Sequence, residues 1–269
     1  MIKQTFGIAK IPFLQSDQKL LPHQQEVVDI VNIHTQHGGL CVVTGDPGTG
    51  KSVIRTSLEA KGGKKQNLIA SFSRTMDTYS SILRQIADAL ELEPKHRKIE
   101  QDIIAFVHEQ ARSNLSLLTI IDEAHLLHLE VLRKLRLFFD RFPKKHCLLL
   151  LGQKDLMVRL SLWNNEDIRS RITYSKELKP LSDGDLMSFI QRECDSVKLP
   201  SSTYEDGALE LILRSVRGNL RLCSNLCYGS LLEACRLGDR VVDHTHVNAM
   251  LVQPHWRRHE DLIVGELPA

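Results

Sequence analysis

The chain has 269 residues, of which 42% are hydrophobic and 25% charged, and its net charge at neutral pH is only +2. This composition excludes a disordered or fibrous protein and predicts a compact, helix-rich chain with one large domain or two. The net charge does not by itself indicate nucleic-acid binding. However, residues 131–160 carry eight Lys or Arg against two Asp. This local excess could face a phosphate backbone, and a solvated helix face explains it equally well.

The compartment is predicted from two absences in the sequence. The N-terminus lacks the apolar core of a signal peptide, and no apolar run reaches the roughly 18 residues of a membrane span. The six cysteines form no CxxC pair and lie in apolar strand or helix patterns. We therefore expect a cytoplasmic protein with buried, reduced thiols and no membrane partner. Cys223 and Cys227 share a predicted helix face, and His244 and His246 follow in the sequence, so a metal site is conceivable. Core cysteines with surface histidines are the favoured interpretation.

From residue 40 onward, short apolar runs alternate with helical patterns. Strands are predicted at residues 40–44, 67–72, 115–122, 146–152 and 171–178, with helices at 50–60, 78–90, 98–113, 130–142 and 155–162. Strands that are apolar on both faces and separated by helices predict a parallel sheet covered on both sides. After Pro180 only helical patterns follow. We therefore predict an α/β nucleotide domain over residues 1–180 with an N-terminal segment 1–39, a helical lid over 181–253 and a tail over 254–269.

The stretch GDPGTGKS follows the first predicted strand and opens a helix. Its glycines allow backbone N–H groups to point at a β-phosphate, where the helix N-terminus adds its positive pole. Lys51 would reach the β and γ oxygens, and the Ser52 hydroxyl would hold Mg²⁺. The stretch thus predicts ATP and Mg²⁺ as the cofactors. The predicted nucleotide contacts are Gly45, Asp46, Pro47, Gly48, Thr49, Gly50, Lys51, Ser52 and Val53.

Two acids end the third predicted strand in the stretch LLTIIDEAH. Asp122 would hold Mg²⁺, and Glu123 beside it would polarise the water that attacks the γ-phosphate. A pair of surface carboxylates capping the next helix is the weaker explanation, because the pair follows a fully apolar strand. The letters DEAH also suggest a helicase, but fewer than 150 residues follow them here and most have helical patterns, so we do not expect the second nucleotide-binding lobe that such a helicase needs.

Four further residues complete the predicted ATPase site. Gln153 ends the fourth strand, where its amide can bond the attacking water or the γ-phosphate. Arg221 opens a helix of the lid and would sense the phosphates, with Arg217 as the alternative. Arg169 and Arg171 precede the fifth strand, and a guanidinium supplied there to a neighbouring subunit is worth roughly 10³ to 10⁵ in rate. Arg171 is preferred as this trans-acting arginine because it lies nearest the strand.

Together these residues resemble an AAA+ ATPase, and more narrowly the ExeA-like ATPases and their transposition relatives of the TnsC and TniB type. The resemblance rests on TFGIAKIPF, GDPGTGKS, LTIIDEAHLL, LLLLGQKDL, RSRITYSKELKPLSDGDL and GNLRLCSNLCYGSLLEA. Leu220 stands where the group usually has Pro. The resemblance implies a sheet of order 5-1-4-3-2, ATP bound between the large domain and the lid, and oligomers in which one subunit's arginine completes the next subunit's site.

The resemblance leaves the use of ATP open between two classes. Transposition regulators assemble with ATP as rings or filaments on target DNA and recruit a transposase, whereas ExeA-like ATPases serve a secretion channel. Secretion members are expected to continue into a membrane span and a cell-wall-binding part, which favours the first class for this chain. A helicase loader is a third alternative that would share the ATP switch and differ in its partner.

Binding to duplex DNA is expected to use phosphates rather than bases, since such regulators need many target sequences. Arg74 is the best placed candidate, because loops after the second strand line the pore of related assemblies. Arg133, Lys134 and Arg136 are weaker ones. The other candidate DNA contacts are Lys64, Lys65, Lys95, Arg97 and Lys98.

Overall fold

This computed structural model describes residues 2–14, 20–61, 67–72, 78–93 and 98–256. The chain divides into two compact units, one over residues 20–179 and one over residues 1–19 together with 180–269. Within the described residues no helix is both long and apolar enough to cross a membrane.

The unit over residues 20–179 is built on a parallel five-stranded sheet. Its strands are β1 (Gly39–Gly45), β2 (Asn67–Phe72), β3 (Ser116–Ile121), β4 (His146–Gly152) and β5 (Ile172–Leu178). Their order across the sheet is β2-β3-β4-β1-β5. Every pairing is parallel, which confirms the fold class and the strand order expected from the sequence.

Helices cover both faces of this sheet, as the apolar strands require. They are α2 (Pro22–His37), α3 (Lys51–Lys61), α4 (Tyr79–Ala89), α5 (Ile99–Arg112), α6 (Leu129–Phe139), α7 (Lys154–Leu160) and α8 (Glu166–Arg169). Alternate strand residues point to opposite faces. Cys41 and Val43 pack with the α2 and α3 residues Val27 and Ile54 in one core cluster. Their strand neighbour Val42 belongs to a second cluster that includes residues of α4, α5 and α6.

Among the described residues of the second unit, the regular elements are helices, and one isolated parallel bridge joins Tyr204 to Val242. The unit contains α1 (Ile2–Phe6), α9 (Asp183–Ser196), α10 (Asp206–Val216), α11 (Leu220–Leu237) and α12 (His244–Leu251). Ser182 and Asp243 accept backbone hydrogen bonds as the N-caps of α9 and α12, as their position before each helical pattern suggests.

The first residues of the chain pack with this helical unit. The Phe13 ring lies 6.1 Å from that of Phe189 and 6.4 Å from that of Tyr204, and its backbone N–H donates to Glu193 Oε2 over 3.2 Å. Phe13 is therefore a core residue of the helical unit. This packing differs from the boundary proposed from the sequence, which assigned residues 1–39 to the α/β domain.

A buried histidine lies at the start of β4. His146 is stacked on Phe139 at 4.7 Å, and its Nε2 lies 3.1 Å from Thr119 Oγ1. Burial disfavours the imidazolium and lowers the pKa of His146 from 6.5 to about 3. Between these two values the unfolded chain binds a proton that the folded protein does not. The free energy of unfolding therefore falls as the pH drops below about 6.5.

We expect His146→Leu to flatten this acid dependence. One proton is worth about 1.4 kcal/mol per pH unit, so from pH 6.5 to 4.5 the wild type loses about 2 to 3 kcal/mol more than the variant. Urea unfolding at the two pH values measures the difference, with the exposed His37→Gln as control. Equal slopes for wild type and His146→Leu would contradict a neutral buried imidazole.

Candidate functional site

The phosphate-binding loop connects β1 to α3 in the way its motif predicts. Gly48 and Gly50 have φ values of 81° and 97°, a region that favours glycine. Thr49 closes the loop, because its backbone N–H and its hydroxyl both donate to Asp46 O, over 3.3 and 2.8 Å. The N-terminus of α3 follows at Lys51. The loop thus presents its backbone at the positive end of a helix, which is the arrangement that holds anionic phosphates.

Lys51 is buried within this loop, with 7% of its surface exposed. Its Nζ donates to Gly45 O over 2.6 Å and to Asp46 O over 2.9 Å. These carbonyls are neutral acceptors, and phosphate oxygens are stronger ones for an ammonium. Lys51 is therefore held at the loop in a position from which it can bind a phosphate.

Gln24, in the first turn of α2, packs against the same loop and was not predicted. A Cβ placed on Gly50 would lie 2.2 Å from Gln24 Nε2, so this position admits only glycine while Gln24 stays in place. Gln24 is 1% exposed, and its Oε1 accepts a hydrogen bond from Leu21 N over 3.0 Å. Because the contact joins residues 26 positions apart, it depends on the packing of α2 beside β1, which the local pattern does not specify.

Asp122 and Glu123 follow β3 directly. Asp122 is 7% exposed; its Oδ1 accepts from Glu123 N over 2.9 Å, and its Oδ2 accepts from Arg55 Nη1 over 3.2 Å. Glu123 has a left-handed backbone, with φ 54° and ψ 32°, which is uncommon for a residue other than glycine. Its carboxylate lies 3.5 Å from His125 Nδ1 and is 43% exposed. The two carboxylates therefore differ, since Asp122 is fixed and Glu123 is open to water.

The strand register brings Gln153 to the same edge of the sheet. β4 lies between β3 and β1; Ile121 pairs with Leu150, and Thr44 pairs with Gly152. The residues that follow these strands are Asp122, Gln153 and the phosphate loop, so all three lie at the carboxyl edge of neighbouring strands. This is where ligands of open α/β sheets bind.

Lys154, the residue after Gln153, also reaches the phosphate loop and was not predicted. Its Nζ lies 2.9 Å from Asp46 Oδ2 and 3.2 Å from Glu177 Oε1. Hydrogen bonds to Asp46 and then to Glu177 raise the pKa of Lys154. The lysine thus offsets the negative charge that Asp46 places in a loop suited to phosphates. The only sequence feature that could have indicated this contact is the position of Lys154 directly after Gln153 in GQKDL.

Arg169 and Arg171 lie at the opposite edge of the sheet. Leu40 pairs with Ile172 and Gly45 with Leu178, so Arg171 precedes the start of β5 and lies about 20 Å from the loop, at about 3.3 Å per residue. Arg171 is 56% exposed and its Nη1 is 3.5 Å from Asp140 Oδ1, whereas Arg169 is 47% exposed and its Nη2 is 2.6 Å from Glu166 Oε2. Neither guanidinium can reach the phosphate loop of its own sheet.

The sensor arginine of the lid stays a prediction. Arg221 is exposed in the first turn of α11, which Asn219 caps by accepting from Leu222 N over 3.0 Å. Arg217, the alternative, is exposed at the C-terminus of α10 with a φ of 48°. Both belong to the helical unit.

The candidate DNA contacts are mostly outside the part of the chain that the structure describes. This holds for Lys64, Lys65, Arg74, Lys95 and Arg97, while Lys98 is exposed at the N-terminus of α5. Two arginines of the basic segment 131–160 have carboxylate partners instead. Arg133 Nη1 lies 2.5 Å from Glu130 Oε1, and Arg136 Nη1 lies 3.1 Å from Asp167 Oδ2. Part of the charge excess in this segment is thus paired within the fold.

Two cysteines and one histidine considered above as metal ligands are buried in the helical unit. Cys223 and Cys227 are fully buried, as expected. His246, expected at the surface, is 3% exposed, and its ring lies 2.8 Å from Asp243 Oδ1 and 3.1 Å from Asp239 Oδ2. Among the described residues no group of three or more His, Cys, Asp or Glu side chains could hold a metal ion.

The residues at the carboxyl edge fit a nucleotide with Mg²⁺. A buried carboxylate, Asp122, faces the edge beside a helix whose first turn carries the Ser52 hydroxyl, and Mg²⁺ prefers such hard oxygen donors. Lys51 and the loop backbone supply the donors that phosphates require.

Comparison with known proteins supports the fold that carries this site. Residues 33–160 match the family model of an AAA domain. The fold is similar to that of the Aeropyrum pernix ORC2 protein in its ADPNP–ADP complexes, with a TM-score of 0.70 and 15% identity over 99% of this chain and 75% of that chain. It is also similar to Drosophila ORC bound to DNA, with a TM-score of 0.69 and 15% identity over 99% and 68% of the two chains.

A third similar structure is the Thermotoga maritima RuvB Holliday junction branch migration motor, with a TM-score of 0.59 and 16% identity over 94% of this chain and 78% of that chain. No curated protein matches the sequence. At these identities the similarity establishes the fold. The chain therefore has the AAA+ P-loop fold, with an AAA domain over residues 33–160 and a helical region after its sheet.

Proposed function

We propose that this protein is an ATPase that assembles on duplex DNA while ATP is bound, recruits a transposase, and comes apart after hydrolysis. The observation that carries the proposal is the division of the site between two edges of one sheet. Lys51, Asp122, Glu123 and Gln153 lie at the carboxyl edge, whereas Arg171 is exposed at the amino edge, about 20 Å away on the strand spacing. Arg171 can therefore reach a site of this kind only on a neighbouring copy of the chain.

The residues of the carboxyl edge divide the work of hydrolysis. Lys51 and the backbone of the phosphate loop bind the β- and γ-phosphates, and the Gln153 amide orients the attacking water or the γ-phosphate. Glu123 accepts the proton of that water at a carboxylate oxygen. Magnesium, held by Ser52 and Asp122, would neutralise part of the phosphate charge. Arg171 of a neighbouring copy would supply positive charge to the transition state, which couples hydrolysis to assembly.

The DNA and partner parts of the proposal rest on similarity. One protein of similar fold is Drosophila ORC bound to DNA, and another is a Holliday junction branch migration motor. The transposase as partner rests on the sequence resemblance to transposition regulators. A helicase loader would share the site and differ only in the protein it recruits, so pull-down of each candidate client with Glu123→Gln on DNA separates the two.

We expect Mg²⁺ and ATP to produce oligomers on duplex DNA, with an affinity that falls steeply as salt rises. If six or more phosphates are contacted, the loss between 50 and 200 mM salt is roughly a thousandfold or more. Sedimentation velocity with a labelled duplex and ATP, ADP or a slowly hydrolysed analogue measures both effects.

Arg74→Ala should weaken DNA binding and reduce its salt dependence, with the exposed Arg240→Ala of the helical unit as control. Monomers under every nucleotide condition would refute the proposal. Oligomers that form with ATP but do not bind the duplex would refute only the claim that assembly takes place on DNA.

A further inference from the structure

An arginine contacts the predicted magnesium ligand. Arg55 lies on α3 one turn after Lys51, and its Nη1 donates to Asp122 Oδ2 over 3.2 Å. Both side chains are largely shielded from water, with 21% of Arg55 and 7% of Asp122 exposed. The other oxygen of Asp122 accepts from Glu123 N over 2.9 Å. A cation of the protein itself thus bonds the carboxylate that the proposed site assigns to Mg²⁺.

We propose that Arg55 is the counter-ion of Asp122 in the metal-free protein and that it sets the affinity of the site for Mg²⁺. This inference rests on the assignment of Asp122 to magnesium in the proposed function. A buried carboxylate without a positive partner is unstable. Arg55 supplies that charge before the metal binds. Once the metal is present, the guanidinium is a second positive charge close to the same carboxylate and opposes metal binding.

A second carboxylate gives Arg55 another partner on its own helix. Arg55 Nε lies 3.5 Å from Glu59 Oε1, one turn further along α3. Glu59 Oε1 also accepts from Ser71 Oγ over 2.5 Å, and Glu59 is 38% exposed. The guanidinium therefore lies between a buried aspartate at the site and a fixed, more exposed glutamate. It can keep an ionic partner when Asp122 turns to the metal.

The arrangement predicts opposite effects for removal of Arg55 and of Glu59. Without Arg55, Asp122 has lost the competing cation, so Mg²⁺ binds more tightly and the metal-free protein is less stable. Without the Glu59 carboxylate, Asp122 is the one of these two acids that still pairs with Arg55. The guanidinium then competes more strongly with the metal, so Mg²⁺ binds more weakly. A guanidinium that merely orients Asp122 for the metal would give the reverse result for Arg55.

The test is a magnesium titration of the full chain with a fluorescent ADP analogue, beginning in EDTA. Arg55→Gln is expected to lower the Mg²⁺ concentration at half-saturation about tenfold, and Glu59→Gln to raise it several-fold. Arg55→Lys keeps the charge and is expected to stay nearer to the wild type. The melting temperature in EDTA should fall for Arg55→Gln, and the increase on adding Mg²⁺ with ADP should exceed that of the wild type, as tighter binding requires.

The outcomes separate this inference from the proposed function. Unchanged or weaker Mg²⁺ binding by Arg55→Gln would overturn the role of Arg55, even if the wild type binds ADP and hydrolyses ATP. If Arg55→Gln does not fold, an unchanged Mg²⁺ affinity in Glu59→Gln overturns it. If the wild type binds no nucleotide with or without Mg²⁺, the proposed ATPase function fails, and the inference about Arg55 fails with it.

Discussion

Glu123→Gln is expected to lower ATP turnover by roughly a hundredfold to ten-thousandfold while ATP affinity stays within about threefold, because the amide cannot accept the proton of the attacking water. The shape of the side chain is nearly unchanged. The carboxylate is 43% exposed and lies 3.5 Å from His125 Nδ1, so its replacement leaves Asp122 and the phosphate loop in place. Steady-state phosphate release and nucleotide binding by fluorescence measure the two quantities.

Glu130→Gln is the matched control, since this carboxylate is 74% exposed and pairs with Arg133 on α6. It should retain turnover. In the proposed cycle, Glu123→Gln should also hold the assembly on DNA, because hydrolysis is the step that releases it. Loss of ATP binding in Glu123→Gln would show that Glu123 is not the base.

Arg171→Ala is expected to lower turnover about a thousandfold and to leave nucleotide binding by the isolated chain unchanged. The side chain is 56% exposed, and its ion pair with Asp140 is long, at 3.5 Å. Because exposed ion pairs contribute little to stability, its loss costs the fold little. The change should act only where two copies meet. Arg169→Ala is the matched control, because Arg169 is similarly exposed and pairs with Glu166. If Arg169→Ala lost turnover a thousandfold while Arg171→Ala turned over ATP normally, Arg169 and not Arg171 would be the trans-acting arginine.

Most of the α/β fold could be predicted because its strands are apolar on both faces. Such runs identify a covered parallel sheet, and β2 and β4 have the predicted bounds. The phosphate loop and the acids after β3 were predicted because each motif is contiguous in sequence. The short helix α8 was not predicted, since four residues, Glu166–Arg169, are too few to show a helical period.

The unpredicted contacts of the site join residues far apart in sequence. Arg55 meets Asp122 across 67 positions, and Lys154 meets Asp46 because β4 and β1 are neighbouring strands that end at the same edge of the sheet. Such pairs depend on helix rotation and strand register, which one sequence does not reveal. The same reason applies to the first residues of the chain, where Phe13 packs on Phe189 of α9. The charge excess of residues 131–160 was compatible with a DNA surface or a solvated helix face, and Arg133 and Arg136 are bonded to carboxylates of the fold.

The central claim is that each ATP site is completed by an arginine of a second copy, and a mixing experiment tests it most directly. Glu123→Gln lacks the base but keeps Arg171, and Arg171→Ala lacks the arginine but keeps Glu123. In a random equal mixture, about a quarter of the interfaces would combine an intact base with an intact arginine. We predict that turnover, negligible for each variant alone, recovers to about that fraction of the wild type on mixing with DNA and ATP. Mixed assemblies that form on DNA without any recovery of turnover would contradict the shared site.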